Sequence, residues 1–355
     1  LPKSSRSERL NERNLGTKVL KILFSSYLFD PSVGGIETVS KILAEEFAAA
    51  GHQVHVITES PGDPIAGAKY RLTRQPSIVD LIKLLHWSDT FFQNNISLRS
   101  LIPALLLRKP VVIAHHTWIQ DTRGRVRWRD RVKYALLRSA RNVAISRAVA
   151  DRLGVPAATI GNPYNDKLFT LLPNIVRDKA IVFVGRLVSD KGGDVLLRAL
   201  KILQTDGLTP DLTIVGDGPE EQNLRRLASD LGVDRQVIFV GQISGRALVE
   251  IMNRHRILAV PSRWAEPFGL VALEGIACGC AIVGSEEGGL KEAIGPCGLT
   301  FENGNEQALA RALKEILTDP ETETKLRALA AEHLQKFRAS AASAAYLDVI
   351  EGAVS

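Results

Sequence analysis

Short runs of β-branched and apolar residues alternate with amphipathic stretches almost from end to end of this chain. That alternation fits parallel sheets covered by helices and little else. The first half offers strands at Val19–Ser25, Val54–Thr58, Thr90–Asn94, Pro110–Ala114 and Asn142–Ile145. The second offers Ala180–Val184, Leu212–Val215, Val237–Val240, Ile257–Val260 and Cys280–Gly284. Each set has its own helices, such as Ile36–Ala50 and Gly193–Gln204. A length of 355 residues is long for one core and ample for two. The expected fold class is therefore α/β, with two Rossmann-like domains. The stretch from 161 to 179 carries Asn162-Pro163, Asn165 and Pro173 without apolar periodicity, and marks the boundary. Residues 1–17 read as a flexible tail, 18–163 as the first domain and 164–339 as the second. A last amphipathic segment, 340–355, is expected to cross back onto the first domain.

No apolar run approaches the roughly 20 residues that span a bilayer. The polar start, Leu1 to Thr17, lacks the apolar centre of a secretory signal, so a cytoplasmic protein is expected. Three cysteines, Cys278, Cys280 and Cys297, form no CxxC pair, which argues against a disulfide framework or a zinc site and for packing.

In an open α/β sheet, chemistry gathers on the loops that follow strands. Two such loops stand out. Glu266-Pro-Phe-Gly-Leu-Val-Ala-Leu-Glu274 holds two carboxylates with seven residues between them, entered through Ser262 and Trp264. A helix starting near Phe268 would aim its free N–H groups at a phosphate, and Glu274 would lie about 8 to 9 Å further along the axis. One carboxylate then meets a sugar and the other a ribose, with a diphosphate between them, which is the layout of a nucleotide sugar. Gly269 allows close approach of a ligand, and Pro267 sits where an N–H would be unpaired. Taken alone, the same pair is equally well a solvated helix cap. The second loop is Gly185-Arg-Leu-Val-Ser-Asp-Lys-Gly192, directly after the strand-like IVFV. Arg186 offers a fixed fork of donors and Lys191 a mobile point charge, together a trap for a diphosphate.

In combination, G-R-L-x-x-x-K-G and E-P-F-G-L-x-x-L-E resemble the retaining glycosyltransferases of family 4, whose members have the GT-B fold. Gly34-Gly35-Ile36-Glu37 and the later A-H-H-T-W extend the resemblance over nearly the whole chain. It implies two Rossmann-like domains facing each other across a deep cleft. By the same resemblance, Arg186 and Lys191 hold the donor diphosphate, Glu266 the transferred sugar and Glu274 the ribose hydroxyls. Backbone N–H groups around Phe268, Gly269, Leu270 and Val271 contact sugar and phosphate. Gly216 and the stretch from Val240 to Ile243 lie where the base is held, and UDP is the expected nucleotide. Across the cleft, Gly34 and Gly35 bring bare backbone to the donor. His116 matches the family histidine near the reacting carbon, with His115 left as the alternative register. Glu37, Asn94, His115 and Trp118 are placed on the acceptor side, although Asn94 and its neighbour Asn95 read equally well as a plain turn.

The expected activity is a hexosyltransferase with retention of configuration, acting on a glycan or lipid-linked acceptor in cell-surface polysaccharide or glycolipid synthesis. No D-x-D triplet occurs, so Arg186, Lys191 and the helix N-terminus replace a divalent metal, and neither metal nor other cofactor is expected. A sugar-nucleotide epimerase or hydrolase of the same fold would use the same cations and Glu274. A non-catalytic partner subunit that binds nucleotide sugar or membrane is the remaining alternative. Gly216-Asp217-Gly218 lacks the third glycine of a dinucleotide fingerprint, since Glu221 occupies that place, so NAD is not expected.

The net charge of +6 is concentrated: between Asp121 and Arg147 there are nine Arg or Lys against two Asp. Such a patch suits an anionic partner such as acidic lipid headgroups, a lipid phosphate or nucleic acid. Beside the family resemblance, nucleic acid is not expected. Trp128, Val132, Ala135, Leu136 and Ser139 follow a helical stripe expected to pack on the sheet. The arginines of 123–138, with Trp118 nearby, would then face an anionic membrane, placing the protein peripherally on its inner face. A solvated face with no partner is the other reading of that stretch.

Overall fold

The computed structural model describes residues 18–31, 34–63, 65–120 and 124–355. The tail assigned to 1–17 and the start of the basic segment at Arg123 lie outside the described residues.

Among the described residues thirteen strands form two sheets, and every pairing is parallel. The first sheet comprises β1 (Lys21–Ser26), β2 (Gln53–Thr58), β3 (Arg71–Arg74), β4 (Thr90–Asn94), β5 (Val111–His115), β6 (Arg141–Ala144) and β7 (Ala157–Thr159), in the order 3-2-1-4-5-6-7. The second comprises β8 (Lys179–Val184), β9 (Leu212–Val215), β10 (Val237–Gly241), β11 (His255–Val260), β12 (Ala281–Ser285) and β13 (Gly298–Phe301), in the order 10-9-8-11-12-13. The central strands are buried on both faces because helices cover both sides, which is why their sequences are continuous apolar runs. Strands β3, β7 and β13 escape the sequence pattern. Each is an edge strand of three or four residues whose RLTR, AAT or GLTF carries no buried apolar run.

The order reverses between β1 and β4 in one sheet and between β8 and β11 in the other. At such a switch point neighbouring crossovers depart to opposite faces and leave a crevice at the carboxyl ends of the strands. The loops leaving β8 and β11 carry the two sequence motifs, so both open into one crevice.

The chain leaves the first sheet after β7 and returns through the helix Ala339–Val354, which packs on the helix Gly35–Ala49 and on β4 and β5. Tyr346 of that returning helix meets Phe92 edge-on at 5.7 Å, and Ile350 is sealed in the same core. Where the two halves meet, the apolar core is continuous through Trp118, Tyr164, Phe268 and Phe337. Phe268 and Phe337 lie edge to face at 5.6 Å, and a side chain at Gly161 would collide with the Phe337 ring. All three cysteines are buried, and burial raises the thiol of Cys280 to about 11, as befits packing.

Candidate active site

The loop after β8 is shaped by backbone contacts that only glycine permits. Gly216 takes φ 133° with its missing Cβ facing the Gly185 carbonyl, and Gly192 takes φ 68° against the Pro261 carbonyl. The turn is fastened by Leu187 N–H to the Asp217 carbonyl at 2.7 Å and by Arg263 N–H to the Asp190 carbonyl at 2.8 Å. Two motif loops distant in sequence are thereby held edge to edge. Arg186 is exposed, and its guanidinium has no hydrogen bond or ion pair among the described residues. Lys191 reaches the other way and donates to Glu266 Oε1 at 2.7 Å. Lys191 and Glu266, given separate roles above, are thus one ion pair.

Glu266 is buried, at 7% exposed, and the same Oε1 also accepts from the Ser262 hydroxyl. Its backbone is pinned too: the carbonyl takes the Gly289 N–H at 2.7 Å, and Gly288, at φ 81°, leaves no room for a Cβ there. Buried carboxylates persist only when paired and hydrogen-bonded, and this one has both kinds of partner. Ser262 was read from sequence only as the entrance to the motif; its sealed hydroxyl is a fixed support for the carboxylate.

The following helix is Leu270–Ala277, two residues later than expected from the sequence. Gly269 at φ 98° is its left-handed N-cap, a conformation with no sequence signature beyond the glycine itself. Glu274 is therefore about 6 Å along the axis from the helix start rather than 8 to 9 Å. Its residue surface is only partly covered while the carboxyl sits deep among protein atoms, and that burial raises its pKa to about 8. The backbone N–H groups of Leu270 and Val271 open the helix beside the Lys191–Glu266 pair. Phe268, by contrast, is buried against Phe337. Val240 stands at the exposed end of the β10 edge, and Ile243 packs partly into the shared core.

From the first sheet, loops after β5 and β6 reach the motif on either side of Glu266. Trp118 Nε1 donates to the Ala265 carbonyl at 3.0 Å, and the Ser146 hydroxyl donates to the Pro267 carbonyl at 2.7 Å. Trp118 is 6% exposed and carries the Arg152 guanidinium on its ring at 4.0 Å. It bridges the halves, so the expectation that it joins a membrane-facing surface is corrected. Neither Ser146 nor Arg152 has a sequence signal that marks it.

His116 and His115 part company because adjacent residues face opposite sides of a strand. His115 is fully buried and bonds Asn142 Oδ1 at 2.9 Å, and burial lowers its pKa to about 4. That interior placement does not suit an acceptor contact. His116 donates from Nε2 to Asn94 Oδ1 at 2.5 Å, and burial, with His115 beside it, lowers its pKa to about 3 against an opposing influence of Asn162. The ring is neutral at physiological pH, and the Asn94 contact assigns the proton to Nε2. Its Nδ1, like the Asn162 Oδ1, is buried without a well-formed hydrogen bond among the described residues. Asn94 lies inside β4, not in a turn after it, and its amide is spent on His116 and on Ser40 at 2.6 Å. It positions His116 rather than lining an open pocket, which corrects both readings of it. Gly34 caps the helix Gly35–Ala49 beneath the Glu37 carboxylate, while Gly35 is exposed with open space before it. Glu37 also lines a separate hollow with Lys41, Asn165 and Lys167, towards the returning chain.

The basic helix runs Trp128–Leu136, followed by a short 3-10 turn to Ser139. Most of its stripe faces outward, contrary to expectation: Trp128 is 69% exposed and Val132 36%, and Ala135 and Ser139 are exposed as well, while Leu136 alone of the five packs against the core. Asp130 is turned inward instead, because its carboxylate caps the helix at the Arg127 N–H (3.0 Å) and binds Lys133 (3.1 Å). Capping and the burial of Leu137 outweigh the amphipathic pattern.

Comparison with known proteins meets this geometry at both motifs. A model described as Glycosyltransferase Family 4 matches residues 33–155, and one described as Glycosyl transferases group 1 matches 172–333. The chain belongs to glycosyltransferase family 4. Its relatives include the D-inositol 3-phosphate glycosyltransferase of Rhodococcus erythropolis, 35% identical over 44% of this chain and 37% of that protein. Another is the GDP-mannose-dependent alpha-(1-6)-phosphatidylinositol monomannoside mannosyltransferase of Mycolicibacterium smegmatis, 35% identical over 39% of each chain. The matches span less than half the length of these curated relatives. Among solved structures, HepE of Anabaena, crystallised with UDP and glucose, superposes with a TM-score of 0.77 at 20% identity, covering 94% of this chain and 99% of that one. Sucrose-phosphate synthase of Thermosynechococcus elongatus gives 0.76 at 24%, covering 94% and 98%. The fold of this family 4 chain is GT-B, as expected from its two motifs.

Proposed function

We propose that the chain is a retaining hexosyltransferase that transfers sugar from a nucleotide diphosphate to a glycan or lipid-linked acceptor, in cell-surface polysaccharide or glycolipid synthesis. The observation that carries this reading is the Lys191–Glu266 ion pair, which joins the loops after β8 and β11 at the strand-order reversal of the second sheet, with Arg186 on the first loop and the helix Leu270–Ala277 following the second. Glycosyl transfer builds positive charge at the anomeric carbon and negative charge on the departing diphosphate. Cations and N–H groups already fixed around the phosphates favour that separation without reorganising. Arg186 and Lys191 stabilise the leaving diphosphate, and Lys191 exchanges Glu266 for a phosphate oxygen as the donor seats. Glu266, held by Ser262, accepts from sugar hydroxyls, while Glu274 takes the ribose diol. On this account no metal takes part. The relatives named for transfer to an inositol phosphate and to a phosphatidylinositol glycoside support the transferase reading over epimerase or hydrolase chemistry. The nucleotide differs among the similar proteins, with UDP bound to one and GDP-mannose named for another. UDP remains the proposed one.

No helix among the described residues is long and apolar enough to cross a membrane. The outward Val126, Trp128 and Val132 with neighbouring arginines support peripheral docking on an anionic inner leaflet. Incubation with UDP-, GDP- and ADP-hexoses, in the presence of EDTA and a mixture of candidate acceptors, tests the activity. Acceptor-dependent release of nucleoside diphosphate is expected. Release or epimerisation without acceptor, or turnover only after Mg²⁺ is restored, contradicts it.

A further inference from the structure

Glu266 is held from two directions, and only one of them belongs to its own domain. Its carboxylate is fixed from within the second domain, by Lys191 and by the Ser262 hydroxyl. The Ser262 carbonyl is anchored there in turn, by the Ser285 hydroxyl at 2.7 Å and the Asn303 amide at 3.1 Å. The backbone is held differently. Three consecutive carbonyls are taken: that of Ala265 by Trp118 Nε1, that of Glu266 by the Gly289 N–H, and that of Pro267 by the Ser146 hydroxyl. The two donors that flank Glu266 come from the first domain.

The contact is close and dry. Ser146 is fully buried and Trp118 nearly so, and a hydrogen bond left unmade in such a place is costly. The two halves approach so tightly that a Cβ at Gly289 would collide with the Ser146 side chain and with the Pro267 carbonyl. Ser146 also caps the helix Arg147–Leu153, accepting from the Val149 N–H at 3.2 Å. Its oxygen serves its own helix while its proton serves the other domain. The next residue, Arg147, donates its N–H to Glu292 Oε1 at 2.8 Å, which ties the helix start to the second domain at a further point.

We propose that Ser146 and Trp118 are positioning residues for the transfer reaction, through which the first domain sets the place of the Glu266 carboxylate against the sugar. The proposal rests on the transferase reading and deepens it by giving the first domain a part in the donor side of the chemistry. A carboxylate moves with its backbone, and a displacement of about 1 Å can cost on the order of a hundredfold in rate. On the transferase reading the nucleotide is held by Arg186, Lys191 and Glu274, all within the second domain. Turnover and nucleotide affinity should therefore come apart.

The test measures kcat, affinity for UDP and GDP, and melting temperature in the full chain carrying Ser146→Ala or Trp118→Phe, and repeats both in the Glu266→Gln chain. Ser146→Ala also removes a helix cap, so Trp118→Phe, which caps nothing, serves as the second variant. Each is expected to lower kcat threefold or more while nucleotide affinity changes less than twofold. In the Glu266→Gln chain each should change kcat less than twofold, because the group it acts through is already gone. Hydrogen exchange over residues 265–289 reads the same hold without turnover. It should quicken in both variants while β8 and β9 keep wild-type rates. A kcat within threefold of wild type for both variants, an equal loss in the two backgrounds, or unchanged exchange overturns the proposal. A wild-type chain that turns over no UDP- or GDP-hexose removes the transferase reading, and the exchange rates still show whether the first domain holds the loop.

Discussion

The two switch points of the molecule are built by opposite strategies. In the second sheet the crevice is made from two contiguous segments, 185–192 and 262–274, whose cations, carboxylates and glycines lie within a few residues of one another. In the first sheet the corresponding place is assembled from Ser40, Asn94 and His116 on three separate elements, beside a cavity whose charges come from Arg99 and the helix Trp128–Leu136. A nucleotide diphosphate is the same chemical object for many enzymes, and a local loop suffices to hold it. The polar groups on the first side are instead gathered from separate elements of the chain.

If that contrast is right, substitutions on the two sides fail in different ways. The largest effect is expected for Glu266→Gln. It removes the charge that holds Lys191 and Ser262 and that is proposed to meet the sugar, with a loss in kcat/KM of roughly a hundredfold, the scale of a charge-assisted contact worth about 3 kcal/mol. Steady-state kinetics at saturating acceptor check it, and a loss under threefold would remove Glu266 from the reaction. Asn94→Leu should act through stability and His116 instead. It strands the buried His116 Nε2–H at about 1 to 3 kcal/mol, while Ser40 keeps Ser26 and the Ile36 carbonyl, so the melting temperature falls by several degrees and turnover slows, with donor affinity unchanged. A loss of donor affinity as large as that from a donor-loop variant would erase the distinction between the two sides.

A third effect concerns pH. Glu274 keeps its proton in the folded chain up to about 8, whereas its ordinary value is 4.5. The folded state therefore binds a proton that the unfolded state releases, so stability contributed by the neutral carboxyl is lost as pH rises through that window. Donor affinity should move the other way if, as proposed, the carboxylate accepts from the ribose diol. Glu274→Gln is expected to flatten both trends. Calorimetric melting and donor titration across the window check this, and parallel profiles for wild type and variant would rule it out.

The legible part of the molecule follows the same division. Central strands and the donor loops stood out in the sequence because burial on both faces demands apolar runs, and because phosphate chemistry needs its residues adjacent. The left-handed cap at Gly269 was invisible, so the helix was expected to start at Phe268, a residue that is in fact packed on Phe337. The stripe from Trp128 to Ser139 reads as packing on the sheet, but the Asp130 cap turns all of it except Leu136 to solvent. His115 and His116 could not be told apart until strand parity placed one on Asn142 and the other on Asn94. Ser146 and Trp118 reach the Glu266 loop from 121 and 147 residues away in sequence, a kind of contact that no local pattern encodes.

The central claim is that the loops after β8 and β11 together form a nucleotide-sugar site. Titration calorimetry with UDP-, GDP- and ADP-hexoses, on the wild-type chain and on Lys191→Ala, tests it directly. One donor should bind the wild type, stabilise it by about 2.7 kcal/mol at a hundred times its dissociation constant, and bind the variant at least tenfold more weakly. Absence of binding by all three, or equal affinity in the two chains, would contradict the account.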